Sequence, residues 1–146
     1  VQPGCGPIFH VHLCQAEGFE VRQGTMAYQV RGHPVQYLAA GDQTVFEQAV
    51  PHKFWNAGDT ELIMNSWAKP AGNLQRYMTI LFLSTSKRHS NTPALFDAAY
   101  LTIQYKGEFD VLEIPHLVKS LLFPAVYWIG RAFGVYKKYE LKKSDE

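Results

Sequence analysis

The chain has 146 residues, of which 47% are hydrophobic and 18% charged, and its formal net charge is +1. This length fits one domain with a buried core, and the near-neutral charge argues against a nucleic acid or another acidic polymer as a partner. The two cysteines, Cys5 and Cys14, are too few for a disulfide framework.

The first half of the sequence reads as short β-strands separated by tight turns. Runs rich in β-branched and aromatic residues recur at intervals of about eight to twelve residues, which is typical of an antiparallel sandwich or barrel. Turn signals such as Gln23-Gly24 and Gly41-Asp42 lie between them. The predicted strands are IFHVHL, FEVRQ, MAYQV, VQYLA, TVF, HKFW and LIMNSW.

The pattern changes to helices near residue 70. Residues 73–84 form a predicted helix with Asn73 as its N-cap. Residues 93–104 form a second predicted helix, which begins with Pro93 at a position that suits proline. The tail from Lys137 to Glu146 is charged and is expected to fray.

A third apolar stretch covers residues 114–136. Only eleven residues separate Lys119 from Arg131, and Pro124 interrupts them, whereas a spanning helix needs about 20 apolar residues. We therefore favour a pair of short helices packed on the sheet over an interfacial helix that carries Trp128. A membrane is not expected as a partner.

No signal peptide is visible, and an intracellular, cytoplasmic location is therefore expected. The chain begins at Val1 rather than at Met, which is compatible with a missing N-terminal segment.

Two histidines and a glutamate in HVHLCQAE form the most informative cluster of polar residues. His10 and His12 lie one residue apart in a predicted strand, so their side chains face the same way. Glu17 reaches that face only if the chain bends between Leu13 and Ala16. His52 lies in a later predicted strand, from which it can meet the other three if the sheet rolls up.

Three neutral imidazoles and one carboxylate are a donor set for a divalent transition metal such as Fe, Mn, Ni, Co, Cu or Zn. The alternative is a set of hydrogen-bonded polar residues without an ion. Burying such groups without partners is costly, which favours the metal. His33, His89 and His116 are isolated in the sequence and are predicted to be ordinary histidines.

The spacing of these residues resembles the two motifs of the cupin superfamily. The first motif has Gly, five residues, His-x-His, four residues, Glu, six residues and Gly. It is matched by Gly4, His10, His12, Glu17 and Gly24.

The second motif is matched by Gly41, His52 and Asn56, with Glu47 in place of Pro and Ala49 in place of Gly. The resemblance covers residues 4–68. It implies that the metal ligands are His10, His12, Glu17 and His52.

The resemblance implies a mainly β fold, an antiparallel, jelly-roll-like cupin β-barrel with a C-terminal helical extension. We predict the barrel over residues 1–70 and the extension over residues 71–146, packed on the barrel as one structural domain. Only nine residues precede His10, although cupin barrels usually begin with further strands. Either the chain is truncated or another segment, such as one from a partner subunit, completes the sheet. A homodimer is also expected from the resemblance.

The predicted function is that of a metal-dependent cupin enzyme acting on a small aromatic or polyketide-like oxygenated molecule. It would be a dioxygenase, or an isomerase, cyclase or decarboxylase that uses the metal as a Lewis acid. A non-catalytic small-molecule-binding barrel is the alternative. Glu47 is the candidate general base. The candidate substrate-binding residues are Phe19, Tyr28, Tyr37, Phe46 and Phe54.

Overall fold

The computed structural model describes residues 1–86 and 92–140. These residues fall into two compact units. The first unit, which consists of β-strands, contains Val1–Gly72 and Gly107–Glu113. The second unit is helical and contains the described residues of Asn73–Lys106 and Ile114–Glu146.

The first unit is built from eight short strands. They are β1 (His10–His12), β2 (Ala16–Gln23), β3 (Met26–Val30), β4 (Gln36–Leu38), β5 (Gln43–Phe46), β6 (His52–Asn56), β7 (Ile63–Lys69) and β8 (Phe109–Val111). One sheet has the strand order β4-β3-β6-β1-β8 and the other β5-β2-β7, and their pairings are antiparallel. The predicted antiparallel, jelly-roll-like fold with C-terminal helices is confirmed. The described strands form two sheets, however, and do not close into a barrel.

The hydrophobic core of this unit lies between the two sheets. Phe19 on β2 and Phe54 on β6 belong to different sheets, and their ring centroids are 4.6 Å apart. Period-two alternation in the sequence produces this arrangement, because every second side chain of a strand points inward. The buried cluster consists of Phe19, Val21, Met26, Phe46, Phe54 and Leu62.

The chain passes from one sheet to the other between β1 and β2. His12 ends β1 in the five-stranded sheet, and Ala16 begins β2 in the three-stranded sheet. The bend that the sequence analysis requires between Leu13 and Ala16 is therefore present.

Strand β8 completes the five-stranded sheet on the far side of β1. His10, Val11 and His12 pair with Val111, Asp110 and Phe109. This strand is absent from the sequence-based prediction, because it lies inside the region expected to be helical. The partner for β1 therefore comes from the chain itself.

The helices of the second unit are α1 (Leu74–Ser86), α2 (Leu95–Gln104), α3 (Phe123–Ala132) and α4 (Lys137–Glu140). Asn73 immediately precedes α1, as predicted. Helix α2 begins two residues later than predicted, and Ser84 Oγ accepts a hydrogen bond of 2.8 Å from the Ala94 backbone at its start. The predicted fraying tail is replaced over residues 137–140 by α4, and its remainder lies outside the described residues.

Pro124 does not break the third apolar stretch. A π-helical turn over Val118–Leu122 runs directly into α3, and the Phe123 N–H bonds to the Val118 carbonyl. Proline removes one backbone donor, and it sits at the start of α3, where such a donor is least needed. The stretch is thus one helical run rather than two short helices. No helix within residues 1–86 and 92–140 combines the length and apolar character that crossing a bilayer requires.

Candidate metal centre

The structure brings together the four residues that the sequence predicts as metal ligands. One candidate ligand atom from each of His10, His12, Glu17 and His52 lies within 4.8 Å of the others. His10 and His52 are register partners on β1 and β6, and Glu17 lies on β2 in the other sheet. The cluster therefore bridges the two sheets, which is why it depends on the bend before Ala16.

The carboxylate of Glu17 lies among the three imidazoles. Its Oε2 is 3.0 Å from Nε2 of His52, 3.5 Å from Nε2 of His12 and 3.9 Å from Nε2 of His10. All three rings thus direct the same nitrogen toward one oxygen.

Backbone carbonyls fix the orientation of two of these rings. His10 Nδ1 is 2.9 Å from the Ile8 carbonyl, and His52 Nδ1 is 2.9 Å from the Val50 carbonyl. A carbonyl oxygen can only accept, so each Nδ1 carries the proton. In its neutral form, a ring with this tautomer presents the Nε2 lone pair to the cluster. A backbone carbonyl that holds the second nitrogen is typical of metal-binding histidines.

Burial and charge shift the pKa values of two members of the cluster. Burial lowers the pKa of His12 to about 4, against the opposing attraction of Glu17. Burial on its own would raise the pKa of Glu17, but the adjacent side chains of His10 and His52 outweigh it and lower that pKa to about 2. At neutral pH, His12 is therefore an unprotonated imidazole beside a carboxylate.

The donor set fits a cation. If His52 is neutral, its Nε2 lone pair faces Oε2 of Glu17 at 3.0 Å, and two acceptors at that distance repel each other. Either a proton or a metal ion between them removes the repulsion. The cluster could therefore hold a metal ion, and its ligands are of the nitrogen and oxygen types that suit divalent transition metals.

Aromatic rings form the walls of the cluster. The Phe46 ring stacks on His52, with centroids 3.9 Å apart and an interplanar angle of 11°. The Phe109 ring meets His12 edge-on at 5.2 Å. Phe19 and Phe54 lie deeper, in the core between the sheets, and Tyr28 packs against that core.

Two predicted site residues are exposed. Tyr37 is 66% exposed and is the register partner of Ala27, whereas Tyr28 is the register partner of Phe54. Tyr37 is therefore on the face opposite to the core, because neighbouring residues of a strand alternate. Glu47 is exposed in the turn after β5 and lacks the burial on which its predicted role as a general base depends.

Asn56 organises a turn. Its Nδ2 donates to the carbonyls of Val1 at 2.8 Å and Thr60 at 2.7 Å, and its Oδ1 accepts from the Gly58 backbone at 2.9 Å. Its hydrogen bonds are thus directed to backbone groups of its own turn and of the N-terminal segment. His33 and His116 are exposed, and neither belongs to the cluster. His89 lies outside the described residues.

Sequence reasoning missed Gln15, which is 1% exposed. Its Oε1 and Nδ1 of His12 are both buried and have no hydrogen-bond partner of good geometry among the described residues. The Gln15 side chain nevertheless acts as a hydrogen-bonding group that raises the pKa of His12. Two residues of the bend, Leu13 and Cys14, separate it from His12, and no strand periodicity indicates its direction.

Comparison with known proteins assigns the class of the first unit. Residues 1–67 match the family model described as a cupin domain, which covers a little under half of the chain. This match shows a cupin domain over residues 1–67, and the two-sheet fold and the cluster of three histidines and a glutamate lie in the same part of the chain.

A curated relative is 35% identical over 71 residues. It is the probable oxidoreductase virH of Hypocrea virens (strain Gv29-8 / FGSC 10586), and the match covers 46% of this chain and 32% of that protein. The chain thus matches about a third of that relative's length.

Two solved structures resemble the chain over about half its length. An uncharacterized conserved protein with a double-stranded β-helix domain from Klebsiella pneumoniae subsp. pneumoniae MGH 78578 has a TM-score of 0.46 and 26% identity, over 49% of this chain and 63% of that one. A cupin-like protein from Thermotoga maritima MSB8 has a TM-score of 0.45 and 29% identity, over 50% and 53%.

Proposed function

We propose that this cupin is a metal-dependent enzyme that acts on a small, largely apolar, oxygenated organic molecule of the aromatic or polyketide type. The observation that carries the proposal is the convergence of four ligand atoms within 4.8 Å. Two of these ligands, His10 and His52, are held by backbone carbonyls with Nε2 toward the cluster.

Oxidation is the reaction class that we favour. The similar curated protein is named a probable oxidoreductase. A bound redox-active ion would supply electron transfer to substrate or dioxygen, whereas bound zinc would supply Lewis acidity for an isomerisation, cyclisation or decarboxylation. His10, His12, Glu17 and His52 would hold the ion, and an ion that takes more than four ligands would keep a position for a substrate oxygen.

The chain's own residues give the site an open side and a closed side. The side chains of His12 and His52 are 6% and 1% exposed, whereas those of His10 and Glu17 are 18% and 14% exposed. A substrate would therefore approach past His10 and Glu17. The rings of Phe46 and Phe109 contact the two buried ligands, His52 and His12, and these apolar surroundings favour an apolar substrate over a phosphorylated one.

The first test is the metal content of purified protein by mass spectrometry. We expect close to one transition-metal ion per chain in the wild type, less than a tenth of that in His12→Ala, and no change in His33→Ala. His33 is a matched control because it is an exposed histidine outside the cluster. Protein that stays empty after incubation with each of the candidate metals would contradict the proposal.

The second test separates an enzyme from a binding protein. Metal-loaded protein is offered phenolic and β-dicarbonyl compounds while dioxygen uptake and product formation are followed. Turnover that is absent in His12→Ala supports the enzyme. Saturable binding of such a compound without turnover, with metal and dioxygen both present, would instead support the non-catalytic binding barrel.

A further inference from the structure

The outer face of the helical run at residues 117–133 is apolar although it is exposed. Ten residues of this range are exposed, and Ser120 and Arg131 are the polar ones among them. Leu117 is 69% exposed, Trp128 65% and Phe133 82%. Single exposed apolar residues are ordinary on proteins, but a contiguous stripe of them marks an interaction surface.

The same helix already has a separate face for its own core. Phe123, Val126, Tyr127 and Gly130 are buried. A Cβ at Gly130 would lie within 3 Å of the rings of Tyr136 and Phe96, so this face is closely packed. A surface helix normally carries polar residues opposite its buried stripe. The exposed stripe therefore lacks a role in the packing of the second unit.

The charged residues within the segment that carries the stripe are basic. Residues 114–139 contain Lys119, Arg131, Lys137 and Lys138 and no aspartate or glutamate, while Glu113 and Glu140 bound the range and Lys138 is paired with Asp97. Apolar side chains flanked by basic residues, with a tryptophan among them, are the composition of helices that lie in the headgroup region of anionic membranes. Two copies of the stripe packed together would instead bring like charges close to each other.

We propose that this stripe is a docking surface for an anionic lipid bilayer. The occupant is the headgroup and upper acyl region of phosphatidylserine-type lipid, into which Leu117, Leu121, Trp128 and Phe133 insert. The run of the π-helical turn and α3 extends from Val118 to Ala132. It is therefore shorter than the roughly 20 residues that span a bilayer, and it lies on the surface. This inference is independent of the metal site.

Vesicle co-sedimentation of the full chain tests the proposal. The vesicles contain either phosphatidylcholine alone or phosphatidylcholine with phosphatidylserine. We expect binding that increases at least ten-fold with phosphatidylserine and weakens as salt is added. The double variant Leu121→Asp/Phe133→Asp should lose at least ten-fold in binding. Val45→Asp is the matched control, because it places the same charge on an exposed apolar side chain of the first unit.

Depth of insertion supplies a second readout. Brominated lipid should quench the fluorescence of the wild type, and the quenching should fall in Trp128→Phe while Trp55 and Trp67 remain. Circular dichroism establishes that each variant is folded. Absence of wild-type binding to both kinds of vesicle overturns the proposal. Light scattering provides a further outcome that overturns the proposal. If the wild type is a dimer, the double variant is a monomer and neither binds vesicles, the stripe joins two copies of the chain.

Discussion

Gln15 donates a hydrogen bond of 3.0 Å from Nε2 to Oε2 of Glu108, although 93 positions separate the two residues. Glu108 immediately precedes β8, so the return of the chain to the sheet brings this carboxylate to the bend after β1. Gln15 is thereby held with its Oε1 buried, and we expect this oxygen to accept from Nδ1 of His12 when Nε2 of that ring binds a metal.

Gln15→Leu should therefore weaken metal binding by about 10- to 100-fold, because residues that orient a ligand contribute to affinity on that scale. Competition with a chelator measures the dissociation constant. Gln43→Leu is the control, since Gln43 is an exposed glutamine on β5. Equal metal affinity in wild type and Gln15→Leu would show that His12 needs no such support. The ring ¹⁵N shifts of His12 report its tautomer without any metal.

Ala49 has a backbone φ of 62°, in the left-handed region that disfavours a residue with a Cβ. The cupin motif has glycine at this position, and the Ala49 N–H donates to the His12 carbonyl at 2.8 Å. Ala49→Gly should therefore raise the free energy of unfolding by about 0.5–1 kcal/mol, because relief of strain exceeds the added freedom of the unfolded chain.

Urea unfolding measures this difference. Ala57→Gly is a suitable control because Ala57 is exposed and its φ is not positive. It should lower stability instead, since glycine then only adds entropy to the unfolded state. If Ala49→Gly and Ala57→Gly changed the free energy of unfolding in the same direction, the result would argue against backbone strain at Ala49.

Asp97 on α2 is buried and accepts hydrogen bonds from Lys138 Nζ at 2.9 Å and Tyr139 Oη at 2.6 Å. Burial on its own would raise the pKa of Asp97, but these bonds and that of Ser84 outweigh it and lower the pKa. A lowered carboxyl pKa contributes stability above the unfolded-state pKa of about 3.9, and this contribution is lost as the pH falls through the lower folded-state pKa.

Asp97→Asn should thus destabilise the protein by about 1–3 kcal/mol at pH 7, which is the scale of charge-assisted hydrogen bonds. The difference from wild type should be constant above about pH 5 and shrink below about pH 4. Unfolding curves at a series of pH values measure it, with the exposed Asp59→Asn as the control. A difference that persists unchanged at pH 3 would show that the charge is not its cause.

Gly6 lies against the backbone of β6. A Cβ at this position would be 2.0 Å from the Phe54 carbonyl oxygen and 2.7 Å from Cα of Trp55. Neither is the end of a flexible side chain, so Gly6→Ala must displace the segment, and we expect a loss of about 1–3 kcal/mol in unfolding free energy.

Gly107→Ala serves as the control because a Cβ there meets no atom within 4 Å. Its unfolding curve should stay close to that of the wild type. Unchanged stability of Gly6→Ala would mean that the N-terminal segment contributes little to the fold, and limited proteolysis would then find it cut early.

Local patterns determined much of this protein. Alternation along β6 places His52, Phe54 and Asn56 on one buried face, since a strand's side-chain period is set by backbone geometry alone. The same parity put His10 and His12 together. Motif spacing then identified Glu17, although parity by itself pointed it the other way, because the motif carries information about the bend that strand geometry lacks.

Only the tertiary structure decided which segments meet. Strand β8 joins β1 from nearly a hundred residues away in sequence, and it brings Glu108 to Gln15 and Phe109 to His12. Strand β8 has three residues, which are too few to show a clear alternation in the sequence. Its pairing depends on the free edge of β1. The exposure of Tyr37 and of the stripe on α3 likewise depends on which segments pack against them. The sequence identifies these residues as apolar but does not indicate whether another segment buries them.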